Sequence, residues 1–322
     1  MRYIDIGAKG GSLSLSRLSL GASQFGTSIG MQMAAEAAEL YLSRGGNCFD
    51  SARIYGAWAP DGDGACDKAV GELIKRAGKR GNVIVSGKGA HPLLSEMERS
   101  RVSYADIRQD LHESLALMDT DYIDIYFLHR DDERVPVGEI IDWLNEFIGG
   151  GLIRAIGASN WSTDRIFAAN EYAAKNGKQG FTVAQQRFSL TESNAKAGGD
   201  PTMVELREDD YRRYRQRDLP VMAYSSQARG YFAKLAAGAD VSRMAGMFDT
   251  ELNRRRFEAL QKICAREGWE PAGVALAYLT QNQLPVSAII GFSRIEQLEA
   301  SMRAEAEVNL TAEDLADLQI WP

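Results

Sequence analysis

Eight short apolar runs, each followed by a longer segment with helical periodicity, constrain the fold of this 322-residue chain more than any other feature. A short apolar run followed by a helical segment is typical of a buried parallel strand and its crossover helix. Eight such units in one chain favour an α/β fold, a closed (β/α)8 TIM barrel, over an open sheet. The predicted strands cover residues 18–20, 47–49, 83–86, 123–128, 153–158, 182–185, 221–224 and 288–290. The predicted helices include residues 34–44, 66–76, 104–118, 137–148, 164–175, 209–217, 251–266 and 271–281.

Segments outside these units predict a hairpin and two long loops. Residues 3–6 and 13–15 flank the turn signal Gly10-Gly11, so we expect an N-terminal β-hairpin. The segments 192–205 and 233–250 lack a regular pattern and predict long loops, with a turn at Gly198-Gly199. No linker rich in proline, glycine or serine divides the chain, and barrels of this length are often one domain. We therefore expect a single domain over residues 1–322.

Charge and composition exclude several classes of partner. The net charge of −7 argues against nucleic acid. The first residues, M-R-Y-I-D, lack the apolar run of a signal peptide, and no apolar run reaches the roughly 18 residues that a membrane helix needs. The three cysteines and three histidines show no metal-binding spacing, so we expect no metal site. These features predict a cytoplasmic protein with a small-molecule partner and do not define its oligomeric state.

Polar side chains stand at the ends of three consecutive predicted strands. Asp50 follows the strand 47–49 and Tyr55 lies in the loop after it, Lys88 ends the next strand, and His129 follows the one after that. Chemistry in a barrel occurs at the carboxyl ends of the strands, and neighbouring strands are about 4.8 Å apart. We therefore expect these four side chains to meet on one patch. A structural ion pair between Asp50 and Lys88, with Tyr55 as a packing aromatic, is the alternative.

Six segments carry a pattern of higher specificity: G-N-C-F-D-S-A-R-I-Y-G, V-S-G-K-G, D-Y-I-D-I-Y-F-L-H-R, I-R-A-I-G-A-S-N-W, M-A-Y-S-S-Q-A-R-G and I-I-G-F-S-R-I-E-Q-L-E-A-S. In this order and spacing they resemble the aldo-keto reductase superfamily, of the bacterial type, over nearly the whole chain. The resemblance implies a barrel fold and NADPH-linked reduction of a carbonyl group. It also implies a catalytic tetrad that matches Asp50, Tyr55, Lys88 and His129.

The residue types of this tetrad suit carbonyl reduction. Hydride addition to a carbonyl leaves an alkoxide, so a general acid must deliver a proton as the charge develops. The ordinary pKa of tyrosine, near 10, is high for this task, and a nearby lysine ammonium lowers it by stabilising the phenolate. Our hypothesis is that Tyr55 donates the proton, Lys88 tunes it, Asp50 orients Lys88, and His129 hydrogen-bonds the substrate carbonyl.

The resemblance further implies a nicotinamide cofactor held by the later strands. Amide and hydroxyl groups suit the nicotinamide carboxamide, an aromatic ring suits the nicotinamide face, and the S-S-Q-A-R-G segment is similar to a pyrophosphate loop. Many relatives have Pro-Leu where this chain has Ser226-Gln227. The cofactor-binding candidates are Gly21, Ser159, Asn160, Gln185, Tyr224, Ser225, Gln227, Arg229, Gly291, Ser293, Arg294, Gln297 and Ser301. Several have structural alternatives, such as a turn at Ser159, packing at Tyr224 and a solvated surface position at Arg229.

The segment after the last strand predicts NADP(H) rather than NAD(H). Ser293 and Glu296 have the spacing of a capping box, which predicts a helix beginning here. A helix N-terminus also binds phosphate, and Arg294 could clamp a ribose 2′-phosphate, so both interpretations can hold together. The segment departs from the usual pattern at Gln297, where some relatives have arginine, and at Ala300-Ser301, where relatives often have Glu-Asn.

Aromatic residues near the predicted site suggest a substrate pocket formed by Phe25, Trp58 and Trp161, although each could equally be packing material. His91 is predicted to be a loop residue near the rim. The last predicted helix opens at residues 310–313, and the chain ends soon after at Trp321-Pro322, so we expect an open site for bulky or sugar-like carbonyls. Two alternatives are a non-catalytic nicotinamide-binding barrel that acts as a redox-sensing or assembly subunit, and a barrel lyase or isomerase.

Overall fold

The computed structural model describes residues 1–194, 200 and 202–319, and these form the (β/α)8 barrel that the strand–helix alternation predicts. A parallel sheet of eight strands closes on itself, with the last strand paired to the first. The barrel strands are β3 (Leu18–Gly21), β4 (Cys48–Asp50), β5 (Ile84–Gly89), β6 (Ile123–Leu128), β7 (Ile153–Ser159), β8 (Val183–Arg187), β9 (Val221–Tyr224) and β10 (Val286–Ile290). The predicted hairpin is β1 (Tyr3–Ala8) paired antiparallel with β2 (Gly11–Ser16).

Helices follow the strands and cover the outside of the barrel. They are α1 (Met31–Ser43), α2 (Ala65–Arg76), α3 (Tyr104–Met118), α4 (Val137–Gly149), α5 (Thr163–Lys175), α6 (Glu208–Gln216), α7 (Tyr231–Ala236), α8 (Ser242–Phe248), α9 (Glu251–Glu267), α10 (Pro271–Gln281), α11 (Ile295–Glu307) and α12 (Ala312–Gln319). In the described ranges, no helix has the length and apolar character needed to span a membrane.

The prediction of a long loop over 233–250 is wrong. This segment contains the end of α7 and all of α8. Gly238 interrupts the helical pattern with a φ of 65°, which hid two short helices from the sequence argument. They are held by aromatic packing instead, because Tyr231 and Phe248 are buried with ring centroids 5.3 Å apart. The predicted Gly198-Gly199 turn and the terminal Trp321-Pro322 lie outside the described residues.

The hairpin closes the amino-terminal end of the barrel. Strand alternation turns the apolar side chains of β1 and β2 to one face, where they form a buried cluster with side chains from inside the barrel. This cluster consists of Ile4, Ile6, Leu13, Leu15, Cys48, Ile84, Ile125, Phe127, Ala155, Val183 and Met222. A larger apolar cluster lies between the strands and the surrounding helices. The carboxyl ends of the strands lie at the opposite end of the barrel.

Candidate active site

The alternation of side chains along each strand places the polar candidates inside the barrel, on the carboxyl-end side of the apolar cluster that the hairpin closes. Cys48 and Asp50 share one face of β4, while Ile84 and Lys88 share one face of β5. The same period relates Val183 to Gln185 on β8. The inward-facing rows therefore begin as apolar residues at the hairpin end and finish as polar residues at the carboxyl end.

Asp50 and Lys88 form a buried ion pair at the centre of the site. The Nζ of Lys88 donates to Asp50 Oδ2 at 2.8 Å and to the Ser51 carbonyl at 2.7 Å. Asp50 Oδ1 accepts from the Ser86 hydroxyl at 2.7 Å and from the Gln185 amide at 2.9 Å. The Lys88 side chain is fully buried and that of Asp50 is 3% exposed. Burial disfavours the ammonium, but Asp50 and Tyr55 outweigh burial and raise the pKa of Lys88, so it remains charged.

Tyr55 lies over this pair and faces a cleft. The Nζ of Lys88 is 4.6 Å from the centroid of the Tyr55 ring. The ring packs edge-on against His129 at 5.7 Å and against Trp58 at 6.0 Å. Lys88 acts on the pKa of Tyr55 in the expected direction, but burial outweighs it. Burial raises the pKa of Tyr55 above its ordinary value, and the opposing charge of Lys88 only reduces this rise.

Two histidines stand together beside Tyr55. His129 and His91 pack edge-on with ring centroids 4.8 Å apart, and both are buried. Burial, followed by the positive charges of Lys88 and Arg130, lowers the pKa of His129 well below its ordinary value, so the ring is neutral at pH 7. Its Nδ1 has no hydrogen-bond partner among the described residues. His91 was predicted only as a rim residue, although its position three residues after Lys88 was the available signal for a place in the site.

Residues at the ends of β7, β8 and β9 form a connected polar wall. The Asn160 amide donates to the His129 carbonyl at 3.2 Å and to the Ser159 hydroxyl at 3.1 Å. Its oxygen accepts from the Tyr224 hydroxyl at 2.6 Å and from the Val204 N–H at 3.0 Å. These bonds use the whole capacity of the amide, so a ligand that contacts it must replace one of them. Gln185 donates its amide hydrogen to Asp50 and keeps its oxygen for another partner.

The far end of the site is formed by the loop after β9 and by the start of α11. Ser225, Ala228, Arg229 and Gly230 all have positive φ, between 45° and 75°, which is unusual for residues other than glycine. Arg229 is exposed and forms no ion pair with the described part of the chain. Ser226 fixes the loop, because its hydroxyl donates to the Ile289 carbonyl at 2.7 Å.

The capping prediction at the start of α11 is displaced by one residue. Arg294, and not Ser293, is the N-cap residue. The Gln297 side chain, rather than that of Glu296, accepts the backbone N–H groups of Ser293 at 2.8 Å and Arg294 at 3.3 Å. This leaves the Arg294 guanidinium exposed, without an ion pair in the described ranges. The Ser301 hydroxyl donates to the Gln297 carbonyl at 2.9 Å within the same helix.

A single cleft of about 1510 Å³ connects these parts. It runs from Tyr55 and His129 past the polar wall to α11. All thirteen cofactor-binding candidates line it, as do Asp50, Tyr55, His129 and Trp58, whereas Lys88 is buried behind them. Further lining residues that the sequence argument missed include Ile54, His91, Leu94, Met97, Arg130, Asp200 and Met203.

Phe25 and Trp161 do not line the cleft, and the structure corrects their predicted place in a substrate pocket. Both side chains are fully buried. Phe25 packs edge-on against Phe292 at 6.1 Å, and Trp161 packs against Phe181 at 5.1 Å. The Trp161 indole donates to the Arg130 carbonyl at 3.2 Å, so it supports the loop after β6 from behind. These aromatics follow strand ends as expected, but they turn into the core.

The described residues contain no group of three or more His, Cys, Asp or Glu side chains arranged to hold a metal ion. The groups available for chemistry at the cleft are one buried ion pair, a phenol, two imidazoles and the polar wall. A phenol beside a cation can donate a proton to an oxygen that gains negative charge, and a neutral imidazole can hydrogen-bond that oxygen.

Known proteins are similar in sequence to this chain over most or all of its length. The chain is 29% identical to an uncharacterized oxidoreductase, YrpG, of Bacillus subtilis (strain 168), with 100% of this chain and 96% of the relative aligned. It is 25% identical to an aryl-alcohol dehydrogenase of Pestalotiopsis microspora, covering 89% and 72%. It is also 25% identical to a probable voltage-gated potassium channel subunit beta of Oryza sativa subsp. japonica, covering 98% and 95%.

The sequence profile of the Aldo/keto reductase family matches residues 17–321, which is nearly the complete chain and includes all eight barrel strands. The chain therefore belongs to the aldo/keto reductase family of oxidoreductases, which act on carbonyl groups.

Proposed function

We propose that this protein is an NADP(H)-dependent oxidoreductase that reduces an aldehyde or a ketone to an alcohol. The observation that carries the proposal is the convergence of four groups at one end of a long cleft. A phenol (Tyr55), a buried ammonium (Lys88), its carboxylate partner (Asp50) and a neutral imidazole (His129) lie in contact there. These are the groups that proton delivery to a developing alkoxide requires.

The remaining length of the cleft fits a dinucleotide. Pockets that bind drug-sized ligands have volumes of about 300–1,000 Å³. The cleft, with about 1510 Å³, therefore has room for a cofactor beside a substrate. Hydroxyl and amide groups of Ser159, Asn160 and Gln185 would hold the carboxamide, and the Tyr224 ring would face the nicotinamide. The loop of Ser225, Gln227 and Arg229 offers backbone N–H groups and a cation to the pyrophosphate. Gly21 and Gly291, without side chains, line the same path.

Arg294 and the start of α11 support NADP(H) over NAD(H). The guanidinium is exposed, forms no ion pair in the described part of the chain, and lines the cleft together with Ser293. A phosphate gains both from a guanidinium, which binds it with two parallel hydrogen bonds, and from a helix N-terminus. Gln297 and Ser301 complete this end of the cleft. The 2′-phosphate of NADP(H) is the group that would use these contacts.

The residues at the other end divide the work of proton delivery. The cofactor, when bound, supplies the hydride. Tyr55 donates its phenolic proton to the substrate oxygen, and Lys88 stabilises the phenolate that remains. Asp50 holds Lys88 in place with two hydrogen-bonded neighbours, Ser86 and Gln185. We assign His129 the tautomer with hydrogen on Nε2, because Nδ1 has no acceptor among the described residues, so that Nε2 donates to the carbonyl oxygen.

The mouth of the cleft favours a carbonyl compound with an apolar part. Trp58 is 54% exposed, and Leu94, Met97 and Met203 are each about 40% exposed while lining the cleft. Exposed apolar side chains clustered around a cavity mark a binding surface. Trp58 could stack on an aromatic ring or on the apolar face of a sugar. A relative named as an aryl-alcohol dehydrogenase supports an aryl substrate.

Replacement of Tyr55 tests the proposal. In wild-type protein we expect NADPH to quench or shift protein fluorescence, and a panel of aryl and aliphatic aldehydes to be reduced. Tyr55→Phe should bind NADPH normally and lose about 10²–10⁴-fold in kcat. Tyr104→Phe is the matched control, because Tyr104 is a partly exposed tyrosine on α3 that stacks on Phe147 and does not line the cleft.

Near-wild-type turnover by Tyr55→Phe would contradict the assigned proton donor. Tight NADPH binding by the wild type without turnover of any carbonyl would instead support the alternative, a non-catalytic nicotinamide-binding subunit. The relative named as a potassium channel subunit beta supports keeping this outcome in the experiment. Absence of nicotinamide binding would contradict both and support a lyase or isomerase.

A further inference from the structure

His91 is a polar side chain of the cleft to which the proposed reduction gives no role. It follows β5 and is only 8% exposed, yet its ring lines the cleft. The ring packs edge-on against His129 at 4.8 Å, and His129 packs against Tyr55 at 5.7 Å. His91 therefore lies next to the group assigned to the substrate carbonyl oxygen.

The backbone around His91 is fixed by a second, partly buried ion pair. Arg101 binds Asp110 through two hydrogen bonds, of 2.9 and 2.7 Å. Asp110 also accepts the Ala90 N–H at 2.8 Å, and Arg101 donates to the His91 carbonyl at 3.3 Å. Ala90 has a φ of 61°, a conformation that a residue with a side chain adopts rarely. These contacts hold the chain in a strained turn that presents the His91 ring to the cleft.

The hydrogen bond of the His91 ring defines its tautomer. Its Nδ1 lies 2.7 Å from the Pro92 carbonyl oxygen, which can only accept, so Nδ1 carries a hydrogen. Burial, with smaller contributions from Arg130 and Arg101, lowers the pKa of His91, so the ring is neutral and Nε2 carries a lone pair. Nε2 makes no hydrogen bond to the described part of the chain. The cleft thus contains an acceptor without a partner in the described ranges, beside the donor of His129.

We propose that Nε2 of His91 accepts a hydrogen bond from a hydroxyl group that the substrate carries on the carbon next to its carbonyl. The substrate class is then α-hydroxy aldehydes and α-hydroxy ketones. This inference rests on the proposed function, since it uses the same site and the same reaction. A substrate without the hydroxyl leaves Nε2 unpaired when water is expelled, and a site built for a hydroxyl discriminates against analogues that lack it.

A matched pair of ketones tests the inference. 2-Hydroxyacetophenone and propiophenone share a phenyl ketone and differ by a hydroxyl in place of a methyl group. The quantity to measure is kcat/KM for 2-hydroxyacetophenone divided by kcat/KM for propiophenone, both with NADPH. It is measured in wild type, His91→Phe and His91→Gln. Intrinsic differences in carbonyl reactivity cancel when this ratio is compared between variants. Leu93→Ala is the control, because Leu93 is an exposed neighbour that does not line the cleft.

We expect His91→Phe to lower the ratio by about three- to tenfold, the effect of one neutral hydrogen bond. His91→Gln, with an amide oxygen near the position of Nε2, should restore most of it, and Leu93→Ala should leave it unchanged. An unchanged ratio in His91→Phe, with both ketones still reduced, would overturn the inference and leave the proposed function standing. An equal loss of kcat for both ketones would have the same consequence. Failure of the wild type to reduce either ketone or any aldehyde would overturn the proposed function as well.

Discussion

Replacing Asp50 with asparagine removes the negative charge opposite Lys88 without changing the shape of the side chain. The Lys88 side chain has no solvent exposure, so its ammonium depends on this carboxylate and on the Ser51 carbonyl. Removing one partner of a buried ion pair costs about 3–5 kcal/mol, because the other charge stays buried and uncompensated. The introduced amide keeps one oxygen for the Ser86 hydroxyl or the Gln185 amide. The expected loss is therefore at the lower end, about 3 kcal/mol.

Comparison of Asp50→Asn with a double variant separates the charge effect from lost packing. Asp50→Asn/Lys88→Met has no buried charge at this position, and we expect it to recover about 1–2 kcal/mol relative to Asp50→Asn. Ser86→Ala is the control, because it removes only one neutral donor to the same carboxylate and should cost about 1 kcal/mol. Urea unfolding at pH 7, followed by far-UV circular dichroism, gives each free energy of unfolding. A loss under about 1 kcal/mol for Asp50→Asn, or a double mutant no more stable than it, would refute the reasoning.

Further predictions concern the cofactor, two glycines and His129. Arg294→Ala should weaken NADPH binding at least about tenfold more than NADH binding by fluorescence titration, and equal losses would contradict the 2′-phosphate role. Gly71→Ala should lower the melting temperature, because a Cβ there would lie 2.5 Å from the Met118 carbonyl oxygen. Gly246→Ala, in open space on α8, should raise stability by about 0.5–1 kcal/mol. Because the pKa of His129 is lowered by folding, this residue is protonated at a higher pH in the unfolded chain than in the folded protein. As pH falls from about 6.5, the free energy of unfolding should therefore decrease, with His129 contributing up to about 1.4 kcal/mol per pH unit. The decrease should be smaller in His129→Gln.

Strand-end residues were predictable because the period of two and the order of the strands determine their place. Asp50, Lys88 and Gln185 continue rows whose earlier members are apolar, so their convergence follows from the sequence pattern once a barrel is accepted. The thirteen cofactor candidates came from the family resemblance and all line the cleft, while their contacts with a cofactor stay a prediction. The organisation as a single domain also stays a prediction.

Loop residues were not predictable in the same way. The sequence does not indicate whether an aromatic after a strand turns outward, as Trp58 does, or inward, as Trp161 does to donate to the Arg130 carbonyl. His91 reaches the cleft from a turn that long-range contacts hold, since Asp110, on α3, accepts the Ala90 N–H and Arg101 donates to the His91 carbonyl. The one-residue shift of the cap at α11 has a similar origin, since the Gln297 side chain accepts the N–H groups of both Ser293 and Arg294, whereas the capping-box spacing assigns the Ser293 N–H to Glu296.

The direction of the pKa shift at Tyr55 changes the role that we give to Lys88. A lysine that brought the resting pKa of the phenol close to neutral pH would leave part of the protein without a proton to donate. Burial instead raises the pKa of Tyr55, so the phenol stays protonated across the neutral range. We therefore propose that Lys88, kept charged by Asp50, stabilises the phenolate that Tyr55 would leave on donating its proton. Because the ammonium is already oriented by Asp50 and Ser51, such stabilisation would need no rearrangement of Lys88. A preorganised cation behind a protonated phenol is therefore the arrangement that we propose for proton delivery at this site.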